Sequence, residues 1–252
     1  MNNTKTGILI SSSFGKIVGL LPLIQRDIIQ TLYITLYPYD DNGPSSRTNA
    51  TSTFHTPQIS SKLISTYAKT TVFKNINVRI LLNKFQRKNQ WEIKTSKSID
   101  VIYFDQVIKE DIKKCIVNKA ADYKMVYLDS SNIDESSFDA NSNASCTCTG
   151  IPDFIYSHSV LGGTFDRLHA GHKILLSEAV LRSSKKVTVG VTDGPMLHSK
   201  KLWELIEPCQ IRKENVLSFL QDIDPSLEYD IVSITDIFGP TKDDPTFEVM
   251  TC

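Results

Sequence analysis

The sequence predicts an α/β protein with two units, the C-terminal one built on a doubly wound parallel sheet. Three observations lead to this prediction. Short apolar runs alternate with amphipathic stretches of helical periodicity in both halves of the chain. A Ser- and Asn-rich stretch at 129–150 separates the two halves and is typical of a flexible linker. The β-branched run at 185–194 has the composition of a strand buried on both faces.

The composition is that of an ordinary globular protein. The chain has 252 residues, and its 28 basic side chains balance 28 acidic ones, so no net field draws it onto nucleic acid or an anionic membrane. Its apolar runs are far shorter than the roughly eighteen residues that a membrane span needs. The five cysteines are odd in number and irregularly spaced, which fits a reducing compartment. We therefore expect a cytoplasmic protein without nucleic-acid or membrane partners.

The N-terminal region, residues 1–128, is predicted to be a smaller α/β region of unknown role. Strands are expected in four short apolar runs, at 7–10, 78–82, 101–104 and 125–128. The stretch 105–123 has apolar residues at helical spacing, and 17–24 reads as buried structure interrupted by Pro22. The polar stretch 39–61 is expected to be a long loop. We find no cluster of chemically active residues in this region.

The C-terminal domain, residues 151–252, alternates more clearly. A strand at 154–163 ends in two glycines, and the elements that follow are a helix at 172–184, a strand at 185–194, a helix after Pro208 and a strand within 229–240. The order β-α-β-α-β predicts a parallel sheet with right-handed crossovers.

The stretch LGGTFDRLHAGHKILL follows the first of these strands and is the candidate site. Open α/β sheets bind ligands at the carboxyl ends of their strands. Gly162 and Gly163 let backbone N–H groups approach a phosphate, and a helix N-terminus adds unpaired amides and a positive dipole end. His169 and His172 are three residues apart, so both could donate to one polyphosphate, and Gly171 leaves that face open.

Three other interpretations compete with a polyphosphate site. Ordinary helix-cap residues would not explain two glycines, an acid and H-x-x-H in one strand–turn–helix. A zinc site would need a third ligand, and the spacing of His198 and Cys209 does not point to either. A dinucleotide site would need G-x-G-x-x-G, which the stretch lacks.

The segment GGTFDRLHAGHKILLSEA resembles the H-x-G-H signature of the nucleotidylyltransferase superfamily. More narrowly, it is similar to the eukaryotic type of phosphopantetheine adenylyltransferase. The resemblance continues through VGVTDGPMLHSKKLWELIEP, SFLQDIDPSLEYDIV and DIFGPTKDDP, so it covers roughly residues 155–245. It implies a Rossmann-like fold of the nucleotidylyltransferase type.

The resemblance implies transfer of AMP from ATP to 4′-phosphopantetheine, which gives dephospho-CoA and pyrophosphate without a covalent enzyme intermediate. His172 would bind the α-phosphate and stabilise the transition state, and His169 would support the ATP phosphates. Gly163, Thr164 and Phe165 would contact ATP, Phe165 through its backbone amide. Such a site positions and neutralises charge, because the attacking phosphate is already ionised.

The resemblance also assigns the phosphate of the second substrate. Thr164 and Lys200 would contact it, with Lys201 as the adjacent alternative to Lys200. Mg²⁺ would enter with ATP, held mostly by phosphates and water, and the protein itself is expected to hold no resident metal. Other enzymes of coenzyme A synthesis are candidate partners.

The sequence departs from the family near its end. The family continues with a strand, an Arg-containing segment and a Ser/Thr-rich motif, whereas this chain ends in VMTC, which does not resemble the expected strand. We therefore expect a C-terminally truncated domain with impaired adenylyl transfer. The alternatives are another nucleotidylyltransferase, such as a cytidylyltransferase, and a non-catalytic nucleotide-binding remnant.

Overall fold

The chain folds into two compact units, each with a parallel sheet. The computed structural model describes residues 5–25, 27, 29–36, 57–73, 76–82, 92–105, 114–133, 155–198, 200–236, 238–242 and 247–251. One unit comprises Met1–Leu81 with Gln86–Asp153, and the other comprises Leu82–Phe85 with Phe154–Cys252. No helix in the described part of the chain is long and apolar enough to cross a bilayer.

The N-terminal unit has five described strands in the order β3-β2-β1-β4-β5, all parallel. Its elements are β1 (Lys5–Ser11), α1 (Phe14–Ile24), β2 (Ile29–Leu36), α2 (Pro57–Thr70), β3 (Asn77–Ile80), β4 (Ile99–Phe104) and β5 (Lys119–Tyr127). The central strand β1 buries Ile8, Leu9 and Ile10 completely or nearly so, as expected for a strand covered on both faces. The strands expected from the four apolar runs are confirmed.

Several predictions for this unit were wrong. The helix expected over 105–123 is contradicted from residue 119 onward, where β5 pairs with β4; residues 106–113 lie outside the described part. β5 lies at the sheet edge and is half-exposed, so it lacks the apolar run that marks a buried strand. The loop expected over 39–61 is helical from Pro57, a residue suited to a first helical turn. With five described strands against four in the other unit, this region is not the smaller one.

At the junction between β1 and α1, side chains of the N-terminal unit accept hydrogen bonds from the donors at the end of its central strand. Ser13 caps α1 by accepting from the Gly15 amide at 3.1 Å. The buried carboxylate of Asp105 accepts from the Ser11 hydroxyl at 3.1 Å and from the Ser12 amide at 3.0 Å. These hydrogen-bond donors at the strand end are therefore satisfied by acceptors within the protein. The helix runs on through Pro22, in its last turn, to Ile24.

The C-terminal unit has the strand order β8-β7-β6-β9, all parallel. Its elements are β6 (Tyr156–Gly163), α3 (Ala170–Arg182), β7 (Ser183–Thr192), α4 (Pro195–His198), a 3₁₀ turn (Trp203–Leu205), α5 (Cys209–Ile223), β8 (Glu228–Ile234), a second 3₁₀ turn (Gly239–Lys242) and β9 (Val249–Thr251). The predicted α/β class with a Rossmann-like parallel sheet is confirmed. The crevice where the strand order reverses lies at β6, between β7 and β9.

Three boundary predictions for this unit need correction. α3 begins at Ala170 rather than His172, and Ser183 and Ser184 belong to β7 rather than to the helix. The VMTC end, which the sequence did not suggest as a strand, supplies β9, and three residues of it pair with β6. A strand of three residues carries too short a pattern to be recognised from sequence. Most of the predicted linker, residues 134–150, lies outside the described part.

The core of the C-terminal unit follows from its sequence pattern. Val187, Val189 and Val191 of β7 are fully buried, as is the face of α5 that carries Val216 and Phe219. The buried apolar residues of α3 are Leu176, Ala179, Val180 and Leu181, which lie on the predicted apolar face.

Candidate functional site

The candidate site lies in the loop that joins the central strand β6 to α3, residues 164–169. Parallel strands β6, β7 and β8 end side by side, with Gly163 paired to Val191 and Thr192 paired to Ile234. Phe165 and Arg167 both have positive φ, 51° and 44°, a region that non-glycine residues rarely adopt. The loop thus turns sharply at the edge of the sheet where ligands bind in such folds.

The two histidines of the loop stack on each other. Their ring centroids are 3.8 Å apart and the planes are 22° from parallel. His169 is the N-cap residue of α3, with an extended backbone and no side-chain cap bond, whereas His172 lies in the first turn. The prediction that the pair shares one surface is therefore right, but the stack, rather than helical spacing alone, brings them together. A Cβ on Gly171 would lie 3.1 Å from the His169 ring, so glycine makes room for it.

His172 is held as a neutral imidazole. Burial and, to a smaller extent, the neighbouring His169 ring lower its pKa to about 4, against an opposing effect of Asp166. Its Nδ1 is buried and has no hydrogen-bond partner among the described residues. A buried ring nitrogen without a partner carries a desolvation cost, and a bound ligand or water that hydrogen-bonds to it would offset that cost.

Phe165 anchors the loop. Its ring is fully buried and lies 5.2 Å from the His172 ring between centroids. A Cβ on Gly163 would come within 3.1 Å of the Phe165 ring, so Gly163 makes room for that ring. Outside the motif, Gly190 likewise leaves space for Ile234, whose Cγ2 would lie 2.9 Å from an added Cβ. Within the motif, Gly163 therefore serves packing, beside the phosphate approach that the sequence suggested.

Thr164 and Lys200 meet at the strand ends. The Lys200 ammonium donates to the Thr164 hydroxyl, which also accepts from the Thr192 hydroxyl at 3.2 Å. Lys200 and Lys201 are both exposed, and Lys200 is the one that reaches the loop. The structure thus brings the predicted phosphate-binding lysine against the predicted threonine, and this hydroxyl–ammonium pair can bind an anion.

Asp166 ties the loop to the segment that precedes α5. One carboxylate oxygen accepts from the Glu207 amide at 3.0 Å, and the other pairs with Arg167 at 2.8 Å. Arg167 also donates to the Leu205 carbonyl at 3.1 Å. Both oxygens of Asp166 are therefore engaged within the protein, which disfavours a direct role as a metal ligand. No group of three or more potential metal ligands occurs in the described ranges.

Comparison with known proteins agrees with this geometry. The model of a cytidylyltransferase-like family matches residues 160–244. A phosphopantetheine adenylyltransferase of Saccharomyces cerevisiae is 40% identical over 92 residues, 36% of this chain and 30% of the yeast protein. One from Methanothermobacter thermautotrophicus is 40% identical over 95 residues, 38% of this chain and 55% of the archaeal protein. Residues 160–244 are therefore similar to a cytidylyltransferase-like domain, and the relatives that align with this part of the chain are named phosphopantetheine adenylyltransferases.

The matches are partial. The aligned segments span between about a third and just over half of these relatives' own lengths. An uncharacterised protein of Schizosaccharomyces pombe is 44% identical over 86 residues, 34% of this chain and 27% of that protein. No solved structure matches the chain.

Two other histidines of the C-terminal unit make structural contacts. His158 is buried in β6, where its Nε2 lies 2.9 Å from the Thr188 hydroxyl and its ring packs on Phe247. His198 stacks on Trp203, with ring centroids 4.4 Å apart. Neither ring belongs to the His169–His172 stack.

Sequence reasoning missed one residue that contacts the loop, Arg212. It is fully buried near the start of α5, and its Nη1 donates to the Thr164 carbonyl at 2.7 Å. A signal was present, because Arg212 lies at i−4 from Val216 and therefore on the buried face of α5. An arginine at an apolar position of a helix stripe needs an explanation.

Proposed function

We propose that this chain belongs to an enzyme that transfers an adenylyl group from ATP to 4′-phosphopantetheine, with dephospho-CoA and pyrophosphate as products. The observation that carries the proposal is the stacked pair His169 and His172 at the end of the central strand, within a domain 40% identical to adenylyltransferases of this reaction. The relatives are named for this activity, and the loop supplies the donors that it needs.

The chemistry is an in-line exchange of phosphate bonds. A phosphate oxygen of 4′-phosphopantetheine forms a bond to the α-phosphorus of ATP, the bond from that phosphorus to the α,β-bridging oxygen breaks, and pyrophosphate leaves. The nucleophile carries no proton that must be removed near neutral pH. The protein therefore contributes positioning and charge stabilisation rather than a general base.

The residues of the loop divide into two groups in this proposal. His172, neutral with an unpartnered Nδ1, donates to the α-phosphate, and His169 supports the other ATP phosphates together with the Phe165 amide. Thr164 and Lys200, already joined by a hydrogen bond, receive the phosphate of 4′-phosphopantetheine. Each group of donors thus faces one anionic substrate, and the positive N-terminal end of α3 favours both.

We further propose that Mg²⁺ enters on the ATP phosphates. The ion would neutralise the charge of the pyrophosphate leaving group, and phosphate and water oxygens would supply most of its ligands. We place the protein in the cytoplasm, on the support of its neutral charge balance and its odd, irregular cysteines.

Calorimetric titration of the chain with Mg·ATP, Mg·CTP and 4′-phosphopantetheine tests the proposal. Binding of ATP well ahead of CTP, abolished by His172→Ala in a variant that stays folded, is the expected result. Preference for CTP would replace the reaction with cytidylyl transfer. Pyrophosphate release on mixing both substrates then measures turnover, and nucleotide binding without any release would favour a non-catalytic remnant.

A further inference from the structure

We propose that Arg212 is a positioning residue that fixes the direction of the Phe165 amide toward the nucleotide phosphates. This inference rests on the proposed function, since it concerns how the same loop is held. Arg212 does not belong to the loop. It lies near the start of α5, 47 positions further along the chain than Phe165, and it acts through the Thr164 carbonyl.

The Arg212 guanidinium bonds to backbone carbonyls from three segments. Nη1 donates to Thr164 at 2.7 Å and to Thr192 at 3.0 Å, and Nε donates to Glu207 at 2.7 Å. Two of these carbonyls lie at or just beyond the carboxyl ends of β6 and β7, and the third precedes α5. The planar, forked geometry of guanidinium lets one side chain hold all three, which a lysine ammonium on a flexible stem would not reproduce.

The Thr164 carbonyl and the Phe165 N–H belong to one peptide group. A peptide group is planar, and when trans its C=O and N–H point in opposite directions; the described chain has no cis peptide bond. The hydrogen bond from Arg212 to the Thr164 oxygen therefore directs the Phe165 N–H away from the guanidinium. That N–H donates to no acceptor in the described part of the protein, so it is available to a ligand.

The hydrogen bond from Arg212 to Thr164 also holds Phe165 in a strained backbone conformation. Phe165 has a φ of 51°, where a non-glycine residue is disfavoured. The Arg212–Thr164 bond on one side and burial of the Phe165 ring on the other fix this residue at both ends. Without Arg212, the peptide group is free to rotate toward an ordinary conformation, and its N–H then leaves the position from which it can donate to phosphate.

The charge of Arg212 supports a functional role. The guanidinium is fully buried, and its hydrogen bonds among the described residues all go to neutral carbonyls. Its Nη2 has no hydrogen-bond partner among those residues. A buried cation without an anionic partner is costly for stability alone. A polyphosphate bound at the adjacent strand ends would supply the missing negative charge.

The test compares Arg212→Met and Arg212→Lys with Val216→Ala, which changes a buried residue one turn further along the same helix whose side chain has no hydrogen-bonding group. Mg·ATP affinity is measured by calorimetry at a temperature where all variants are folded by circular dichroism. We expect Arg212→Met to weaken binding about tenfold or more, since a misplaced donor to a charged group costs that much. Arg212→Lys should lie between it and the wild type, and Val216→Ala should bind within twofold of the wild type.

A measurement that needs no nucleotide separates this inference from the proposed function. The residual dipolar coupling of the Phe165 N–H should change in both Arg212 variants and stay unchanged in Val216→Ala. An unchanged coupling, or wild-type affinity in Arg212→Lys, overturns the positioning role while the proposed function stands. A wild-type chain that does not bind ATP overturns the proposed function, and the coupling still decides how Arg212 acts on the loop. If Arg212→Met does not fold, Arg212→Lys provides both readouts.

Discussion

Substitution of Gly171 by alanine should separate stability from nucleotide binding. Gly171 lies in the first turn of α3 with no positive φ, so alanine suits its backbone and stabilises a helix by up to about 1 kcal/mol relative to glycine. The added Cβ would lie 3.1 Å from Cε1 and 3.2 Å from Nδ1 of His169, inside the 3.4 Å at which ordinary contact begins. The exposed ring must therefore move by a few tenths of an ångström, at little cost to the fold.

That small movement disturbs the His169–His172 stack. A displaced donor loses part of a charge-assisted hydrogen bond worth about 1.5–3 kcal/mol, so we expect Mg·ATP to bind roughly threefold to tenfold more weakly. Urea unfolding should show a free energy equal to or above that of the wild type. Calorimetry on both proteins at the same pH measures the affinity.

A double-mutant cycle identifies the residue through which Gly171→Ala acts. His169→Ala alone measures the full contribution of that ring, and the double variant should bind ATP no more weakly than His169→Ala. Additive losses would refute the reasoning, because Gly171→Ala would then act without His169. Wild-type affinity in the folded single variant would refute it as well.

The remaining predictions concern three side chains. The pKa of His172 is lowered to about 4, mainly by burial. As the pH falls from 6.5 toward 4, the unfolded chain therefore takes up a proton that the folded chain does not, and the free energy of unfolding falls from its value above pH 6.5. An NMR titration midpoint of His172 near 6.5, or an unchanged pH dependence of unfolding in His172→Asn, would contradict this. Asp166→Ala should lower the free energy of unfolding by about 1–3 kcal/mol, since it leaves the Glu207 amide unpaired, and it should weaken ATP binding. A variant as stable as the wild type would show that the hydrogen bond from Glu207 to Asp166 does not stabilise the loop. His158→Leu should destabilise by a similar amount, about 1–3 kcal/mol, by removing the partner of the buried Thr188 hydroxyl; ATP affinity should not change, and a loss of affinity would place His158 in the site.

The C-terminal unit was largely predictable because its strands are buried on both faces. β7 consists mainly of β-branched and apolar residues, and the β6 run ends in two glycines, so the boundaries between strand, turn and helix are marked by composition. The amphipathic pattern of α3 likewise predicted which side chains face the core. The motif between them identified the loop and the residues that the structure brings together there.

The errors have a common physical cause, because the local sequence pattern does not show which strands pair in the folded protein. β5 is an exposed edge strand whose ladder to β4 overrides its helical spacing. β9 has three residues, and its pairing with β6 depends on residues ninety positions earlier in the chain. Long-range partners of this kind leave no periodic signal in sequence.

Only part of the candidate site could be predicted from the sequence. The family resemblance assigned roles to His172, Thr164 and Lys200, and these roles stay predictions. The stack of His169 on His172 and the positive φ of Phe165 are properties of the folded loop. The three carbonyls that Arg212 holds come from segments distant in sequence. No motif specifies those contacts, although an arginine on a buried helix face marks the position to inspect.

We propose that the stacked imidazoles and the Phe165 amide hold the phosphates of ATP, and a crystal structure with a non-hydrolysable ATP analogue would show whether they do. We expect the triphosphate at the carboxyl end of β6, with phosphate oxygens within hydrogen-bond distance of a His172 ring nitrogen and of the Phe165 amide. A nucleotide bound elsewhere, with neither ring in contact with it, would refute this proposal.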